Sequence, residues 1–181
     1  AFYCNLVFQD KFLLMELNLV KNIYDFSKAS DIQNHFVVTT LEQNFNTLYD
    51  NYKESFSIIG FELEHFLLTV FSENELFEKH VSKFKPRRFQ NEHNLLLISE
   101  LIKINEIATA EKYCLEQIEH NSKSDYDLPY VKFLILIYKN TNDKQKLADV
   151  LSEYGKYIFD IDDYLFIKKH ATLEKFKKYR Q

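Results

Sequence analysis

Read at about 100° per residue, the opening segment NLVFQDKFLLMELNLVKNIYDF carries two apolar stripes. Phe8, Phe12, Met15, Leu19, Ile23 and Phe26 fall on one, and Leu6, Leu13, Leu17, Val20 and Tyr24 on the other. A helix patterned in this way is expected to be buried on two sides, as at the centre of a bundle or stack. Ser30 or Asp31 suits the cap of a second helix with Phe36, Val37, Leu41, Phe45 and Leu48 at helical spacing. A third helix, from about Ser55 to Phe71, carries Ile59, Leu63, Phe66, Leu67 and Val70. The SENE that follows has the form of a capping box, Ser72 with Glu75, and is expected to open a shorter helix through Leu76, Phe77 and Val81.

KFKPRRFQN breaks the pattern, because Pro86 disfavours helix at Lys85 and the local charge rises. A boundary is therefore expected there, with an N-terminal helical part over 1–84, a break over 85–91 and a second part over 92–181. In the second part the pattern resolves into pairs: 92–104 with 106–120, 128–140 with 143–154, and 161–170 with 172–180. Asn105, Asp127, Asn142, Asp160 and Thr172 are placed as helix starts, and Gly155 as a residue just past a helix end. The first helices of the pairs begin about 33 to 36 residues apart, the period of helical-hairpin repeats, and such pairs bury their apolar faces by stacking. In the closing stretch Tyr164, Leu165, Phe166 and Ile167, then Leu173, Phe176 and Tyr179, are expected to face inward and cap the stack.

The segments INEIATAEKYCLEQI and TNDKQKLADVLSEY resemble the turn and second helix of a degenerate tetratricopeptide-like hairpin, with Ala110 and Leu147 where that family packs a small or apolar residue. DIDDYLFIKKHATLEKFKKYRQ is similar to the tail of the helical region in some bacterial SWIM-type zinc-finger proteins. The resemblance spans the C-terminal half and implies an α-helical repeat region that serves as an accessory part of a bacterial-type protein. The cysteines and histidine that define the finger are not in this chain, so no metal function is implied.

Composition narrows the chemistry. The 181 residues are 46% hydrophobic and 28% charged with a net charge of −4, the balance of an ordinary globular protein rather than a disordered or strongly basic one. Only 2 Gly and 2 Pro occur, so tight hairpins and phosphate-cradling glycine loops are largely excluded. No apolar run approaches the roughly 20 residues of a membrane span. Cys4 and Cys114 stand far apart without a CxxC, which reads as two reduced thiols and a cytoplasmic setting. Ala1 begins in the middle of an apolar helical pattern, so the chain is expected to be a piece of a longer protein.

The candidate chemistry is sparse. Glu62 and His65 form one E-x-x-H, whereas a di-iron bundle needs two such pairs and further carboxylates. Asp31 with His35 and Glu116 with His120 stand at a four-residue spacing instead, and the expected reading is solvated or core-edge pairs with no metal and no cofactor. Nucleophile-elbow, P-loop and dinucleotide motifs are all absent. Two basic segments remain, one around Lys83, Lys85, Arg87 and Arg88 and the other comprising Lys168, Lys169, His170, Lys175, Lys177, Lys178 and Arg180. Each reads either as a phosphate-contacting strip or as a solvated helix face. Tyr126, Tyr130, Tyr138, Tyr154 and Tyr157 are core or core-edge residues, or else the lining of a groove for a peptide or partner helix.

The sequence thus predicts an all-α protein, a helical bundle or irregular solenoid of about ten helices with tetratricopeptide-like hairpins in its C-terminal half. Its leading functional reading is a non-catalytic scaffold for a protein or peptide partner. A nucleic-acid-associated module is the alternative, and an enzyme built from scattered bundle residues comes third.

Overall fold

The computed structural model describes residues 14–52, 58–121, 126–154 and 161–179. It is all-α, with no strand among the described residues, and it divides into two compact units, Ala1–Lys85 and Pro86–Gln181. None of the described helices is long and apolar enough to cross a membrane.

In the first unit α1 (Leu14–Ser27), α2 (Asp31–Tyr52) and α3 (Ile58–Glu73) pack on one another, followed by α4 (Phe77–His80) and a 3-10 turn (Val81–Lys83). The expected α2 and α3 stripes supply the core, with Val37, Leu41 and Phe45 meeting Leu63, Phe66, Leu67 and Val70, all buried. On α1 only one stripe is inside. Leu17, Val20 and Tyr24 are buried, while Leu19 is 43% and Phe26 82% exposed, so burial on two sides does not hold over these residues. Three packed helices need one apolar face from each, and the second face of α1 has no described helix against it. Phe36 on α2 is likewise 48% exposed rather than internal. Leu6, Phe8, Phe12 and Leu13 of the two stripes lie outside the described residues.

Aromatic rings close the far end of this unit. Phe45 meets Phe71 edge to face at 4.9 Å between centroids and stacks on Phe84 at 5.7 Å, and Phe77 stacks on Phe84 at 6.0 Å. The His80 ring lies 4.9 Å from Phe45 and 4.8 Å from Phe71. Its Nε2 also reaches the Glu42 carboxylate at 2.9 Å, beside the Lys79 ammonium at 2.6 Å. The Lys79 bond, and after it the His80 bond, holds the Glu42 carboxyl below the ordinary carboxylate range. A carboxyl depressed in the folded state stabilises fully above its unfolded pKa, and that contribution is lost as pH falls through the lower folded value. Urea midpoints taken from about pH 6 to about pH 2 should therefore fall less steeply for Glu42→Gln than for the parent. Parallel curves would mean that the cluster is not coupled to folding.

The second unit contains α5 (Asn91–Lys103), α6 (Ile107–His120), α7 (Leu128–Asn140), α8 (Lys144–Tyr154), α9 (Ile161–His170) and α10 (Leu173–Tyr179). These bounds match the expected pairs to within a residue at each end. Each helix from α5 to α8 packs on the next, α5 also reaches α7, and α10 packs on α8 beside α9. Leu97, Ile98 and Leu101, Ala110 and Cys114, Val131, Leu134 and Ile137, and Leu147, Ala148 and Leu151 fill the space between them. Among the described side chains of the closing stripe only Ile167 is buried, and the side chain of Tyr179 lies outside the described residues. Phe166 is half-buried, Leu165 is 56% and Leu173 70% exposed, and Tyr164 meets Phe176 ring to ring at 5.9 Å. A helix lying on one neighbour buries a single narrow line of positions, and Ile167 holds it for α9.

Several turns differ from expectation in the same way. Asn105 and Asn142 do not start helices; they adopt left-handed backbone, φ 64° and 55°, just past the ends of α5 and α7. The following amides, Glu106 and Asp143, donate back to the Leu101 and Tyr138 carbonyls at 2.8 and 3.0 Å, a Schellman closure. Asp143 then caps α8, its carboxylate accepting the Lys146 amide at 3.0 Å. Glu75 behaves likewise at φ 60°, with Leu76 N–H bonded to the Phe71 carbonyl at 2.9 Å, so Ser72 and Glu75 close α3 instead of forming a capping box for α4. Asp127 and Thr172 do precede helices, whereas Asp160 and Gly155 lie outside the described residues.

Candidate functional site

The start of the second unit is held by one buried amide. Asn94 is fully buried, and its Oδ1 accepts the Arg87 backbone N–H at 2.7 Å while its Nδ2 donates to the Arg87 carbonyl at 2.8 Å. The same Nδ2 donates to Gln117 Oε1 at 3.0 Å, and Tyr130 Oη donates to Asn91 Oδ1 at 3.0 Å beside it. The amide therefore imitates a backbone partner and ties the segment leading into α5 to α5 itself and to α6. Beyond the clamp the chain turns: Gln90 N–H bonds back to the Arg87 carbonyl at 3.2 Å, and Phe89 takes φ 64°. That is the position a type II turn reserves for Gly or Asn. The Phe89 ring is 80% exposed, with the Arg88 guanidinium 4.8 Å from its centroid.

The five tyrosines separate. Tyr130 and Tyr138 are core residues, 1% and 4% exposed, and burial raises the pKa of both hydroxyls. They point into the packing between helices because α7 is apolar on nearly all sides and is covered by both α6 and α8. Tyr138 Oη donates to Glu111 Oε1 at 2.8 Å, which also takes the Lys146 ammonium at 2.8 Å. Tyr154 donates to Asp127 at 3.3 Å, Tyr126 is 51% exposed, and Tyr157 lies outside the described residues. Among the described members of this set, the burial of Tyr130 and Tyr138 leaves no common groove. What opens instead is a cleft of about 330 Å³ between α7, α8 and α9, with Leu147, Leu151, Phe166 and the edge of Tyr138 as its floor and Lys139, Lys144 and Asp162 at its rim.

Of the basic candidates, Lys85 and Arg88 are exposed and Arg87 is half-buried; Lys85 belongs to the first unit, Arg87 and Arg88 to the second. Lys168, Lys169 and Lys177 are exposed, and the first two lie with His170 in the last turn of α9, where the helix dipole favours cations. The side chains of Lys175 and Lys178, and all of Arg180, lie outside the described residues.

In the first unit Glu62 pairs with Lys21 at 2.7 Å, so the lone E-x-x-H has its carboxylate turned to a lysine. Asp31 and His35 line a smaller cleft of about 260 Å³ with Asn34, Glu42 and Asn74, and Glu116 pairs with Lys112 at 3.7 Å. Tyr24 Oη donates to Glu73 at 2.7 Å and accepts from Asn74 Nδ2 at 2.9 Å, and Asn34 Nδ2 donates to Asn74 Oδ1 at 2.9 Å. Burial pushes the Glu73 carboxyl up, yet the bonds from Lys28 and Tyr24 outweigh it and hold it below its ordinary range. This network joins the ends of α1 and α3 to the start of α2. No group of three or more metal-ligating residues assembles among the described residues. Cys114 is fully buried, and burial with the nearby Glu111 pushes its thiol up to about 12, which keeps it an unreactive thiol near neutral pH.

Sequence reasoning passed over Asn94 and Phe89. Asn94 stands at the helical spacing of Leu97, Ile98 and Leu101, and an amide in a core register is the available signal that a backbone group needs it. Phe89 gave no comparable signal, since nothing in the pattern separates it from the buried Phe84. Compared with protein-family models, curated proteins and solved structures, the chain matches none.

Proposed function

We propose that the chain is a non-catalytic α-helical interaction scaffold whose C-terminal half works as tetratricopeptide-like hairpins within a larger protein. The observation that supports this reading is the cleft between α7, α8 and α9, where an apolar floor is bordered by Lys139 and Lys144, both exposed. A peptide segment that alternates apolar and acidic side chains suits it, its apolar groups on Leu147 and Phe166 and its carboxylates on the two ammonium groups. The helices behind the floor are closed by caps and by the Glu111–Lys146 pair, so the cleft needs no folding on binding.

A random-peptide display selection on the purified chain tests the reading. It should enrich such peptides, and the double charge reversal Lys139→Glu with Lys144→Glu should abolish their binding while the helical circular dichroism and unfolding midpoint stay unchanged, because both side chains are exposed. A selection that enriches nothing, or enriches peptides indifferent to the reversal, overturns it.

A further inference from the structure

We infer that the Arg88–Phe89 corner is a stacking platform for single-stranded nucleic acid, an unpaired base lying on the Phe89 ring and the neighbouring phosphates on Arg88 and Arg87. The corner is built to show that ring rather than to hide it. Phe89 is 80% exposed and, unlike the equally exposed Phe26 within a helix, it takes a left-handed φ of 64° where a side chain is sterically disfavoured. The turn does not drift out of that conformation, because Asn94 grips both backbone polar groups of Arg87 at 2.7 and 2.8 Å and Gln90 closes back on Arg87 at 3.2 Å. A bulky residue kept in a Gly position with its side chain in solvent contributes nothing to the core that Gly would not.

The charge beside the ring selects the class of ligand. The Arg88 guanidinium lies 4.8 Å from the ring centroid, so seating Phe89 in a dry protein pocket would also strip water from a cation. A nucleotide uses both groups at once, since its base offers a π face and its phosphate an anion with two acceptor oxygens for the guanidinium. Glu92, on the first turn of α5, is the acidic group nearest in sequence, against two arginines. The second unit as a whole carries 16 Lys and Arg against 15 Asp and Glu, so its long-range field does not repel a polyanion. A duplex shields its base faces, which leaves single strands as the form that fits a lone exposed ring. The corner is separate from the α7–α9 cleft, and neither reading depends on the other.

The chain contains no Trp, so Phe89→Trp introduces a unique indole at the platform. Its fluorescence should be quenched by 15-nucleotide oligo-dT and oligo-U, and not by heparin, which offers charge without bases. Binding by the full chain should weaken with salt with a log–log slope of about −1.4, the value for two phosphate contacts on a single strand. Phe89→Gly should bind oligo-dT about tenfold or more weakly while its unfolding midpoint is unchanged or raised, which separates loss of the platform from loss of the fold. Arg88→Gln should lose affinity and flatten the salt slope. The inference is overturned if neither oligonucleotide quenches the indole, if Phe89→Gly binds as the parent does, or if the indole answers only to peptides and the corner is a protein contact.

Discussion

Asn94→Leu should lower the unfolding free energy of the second unit by about 3 to 5 kcal/mol, one of the largest effects of any single substitution in the chain. Leucine has the branched skeleton of asparagine with two bulkier methyl groups, so no cavity opens and the loss is that of hydrogen bonding with some overpacking added. The Arg87 N–H and the Gln117 Oε1 lose their partner together, the Arg87 C=O is left with the Gln90 N–H alone, and each buried group left unmatched costs about 1 to 3 kcal/mol. The half-buried position of Arg87 lets water recover part of this, which keeps the sum below its upper limit. Asn94→Asp should be at least as damaging, because a carboxylate would face the Arg87 carbonyl and the Gln117 oxygen that the amide now serves. Urea unfolding followed by circular dichroism, with hydrogen exchange to locate the loss in α5 and α6, makes the measurement. A change under about 1 kcal/mol would show that the clamp is replaceable by solvent.

In the first unit the corresponding position is Phe45. It is 1% exposed and touches Phe71, Phe84 and His80 at once, so Phe45→Ala should cost about 3 to 5 kcal/mol through lost transfer energy and a residual cavity. The lost ring–ring contacts, each about 0.5 to 1.5 kcal/mol, push it toward the upper end. Phe84 lies beyond the helices and is held largely by these rings, so protection of the Phe84 amide, which bonds the Val81 carbonyl at 3.2 Å, should fall first in hydrogen exchange. Phe26→Ala, at 82% exposure, is the matched control and should stay within about 0.5 kcal/mol of neutral. Equal losses in the two variants would mean that the ring cluster does not anchor the unit.

Helices were legible in the sequence because their signals are local: apolar residues at helical spacing, Asp127 and Thr172 ahead of helices, Pro86 between the halves. The reading failed where one residue type serves two opposite ends. Asparagine is favoured both as an N-cap and in left-handed backbone after a helix, so Asn105 and Asn142, each within a short connection, suit the start of the helix that follows by sequence and in the structure close the one before. Glu75 departs from its pattern for a related reason, since S-x-x-E describes a side-chain pattern and says nothing of the φ that decides the turn. For the site, aromatic content told little about exposure. Tyr130 and Phe89 are both large rings near helix starts, and only tertiary packing puts one inside and the other in water. The Asn94–Arg87 clamp spans seven residues from side chain to backbone, a relation with no periodic trace.

Glu75, Phe89, Asn105 and Asn142 all hold positive φ with a side chain attached, in a chain with only 2 Gly. Each strains the native state slightly where glycine would not. The compensation lies in the denatured ensemble, because a residue with a Cβ samples far fewer backbone conformations than glycine and has less freedom to surrender on folding. The strain in these turns is thus offset in the state where the turns do not exist, and a chain nearly free of glycine begins folding from a stiffer, less populous set of conformers.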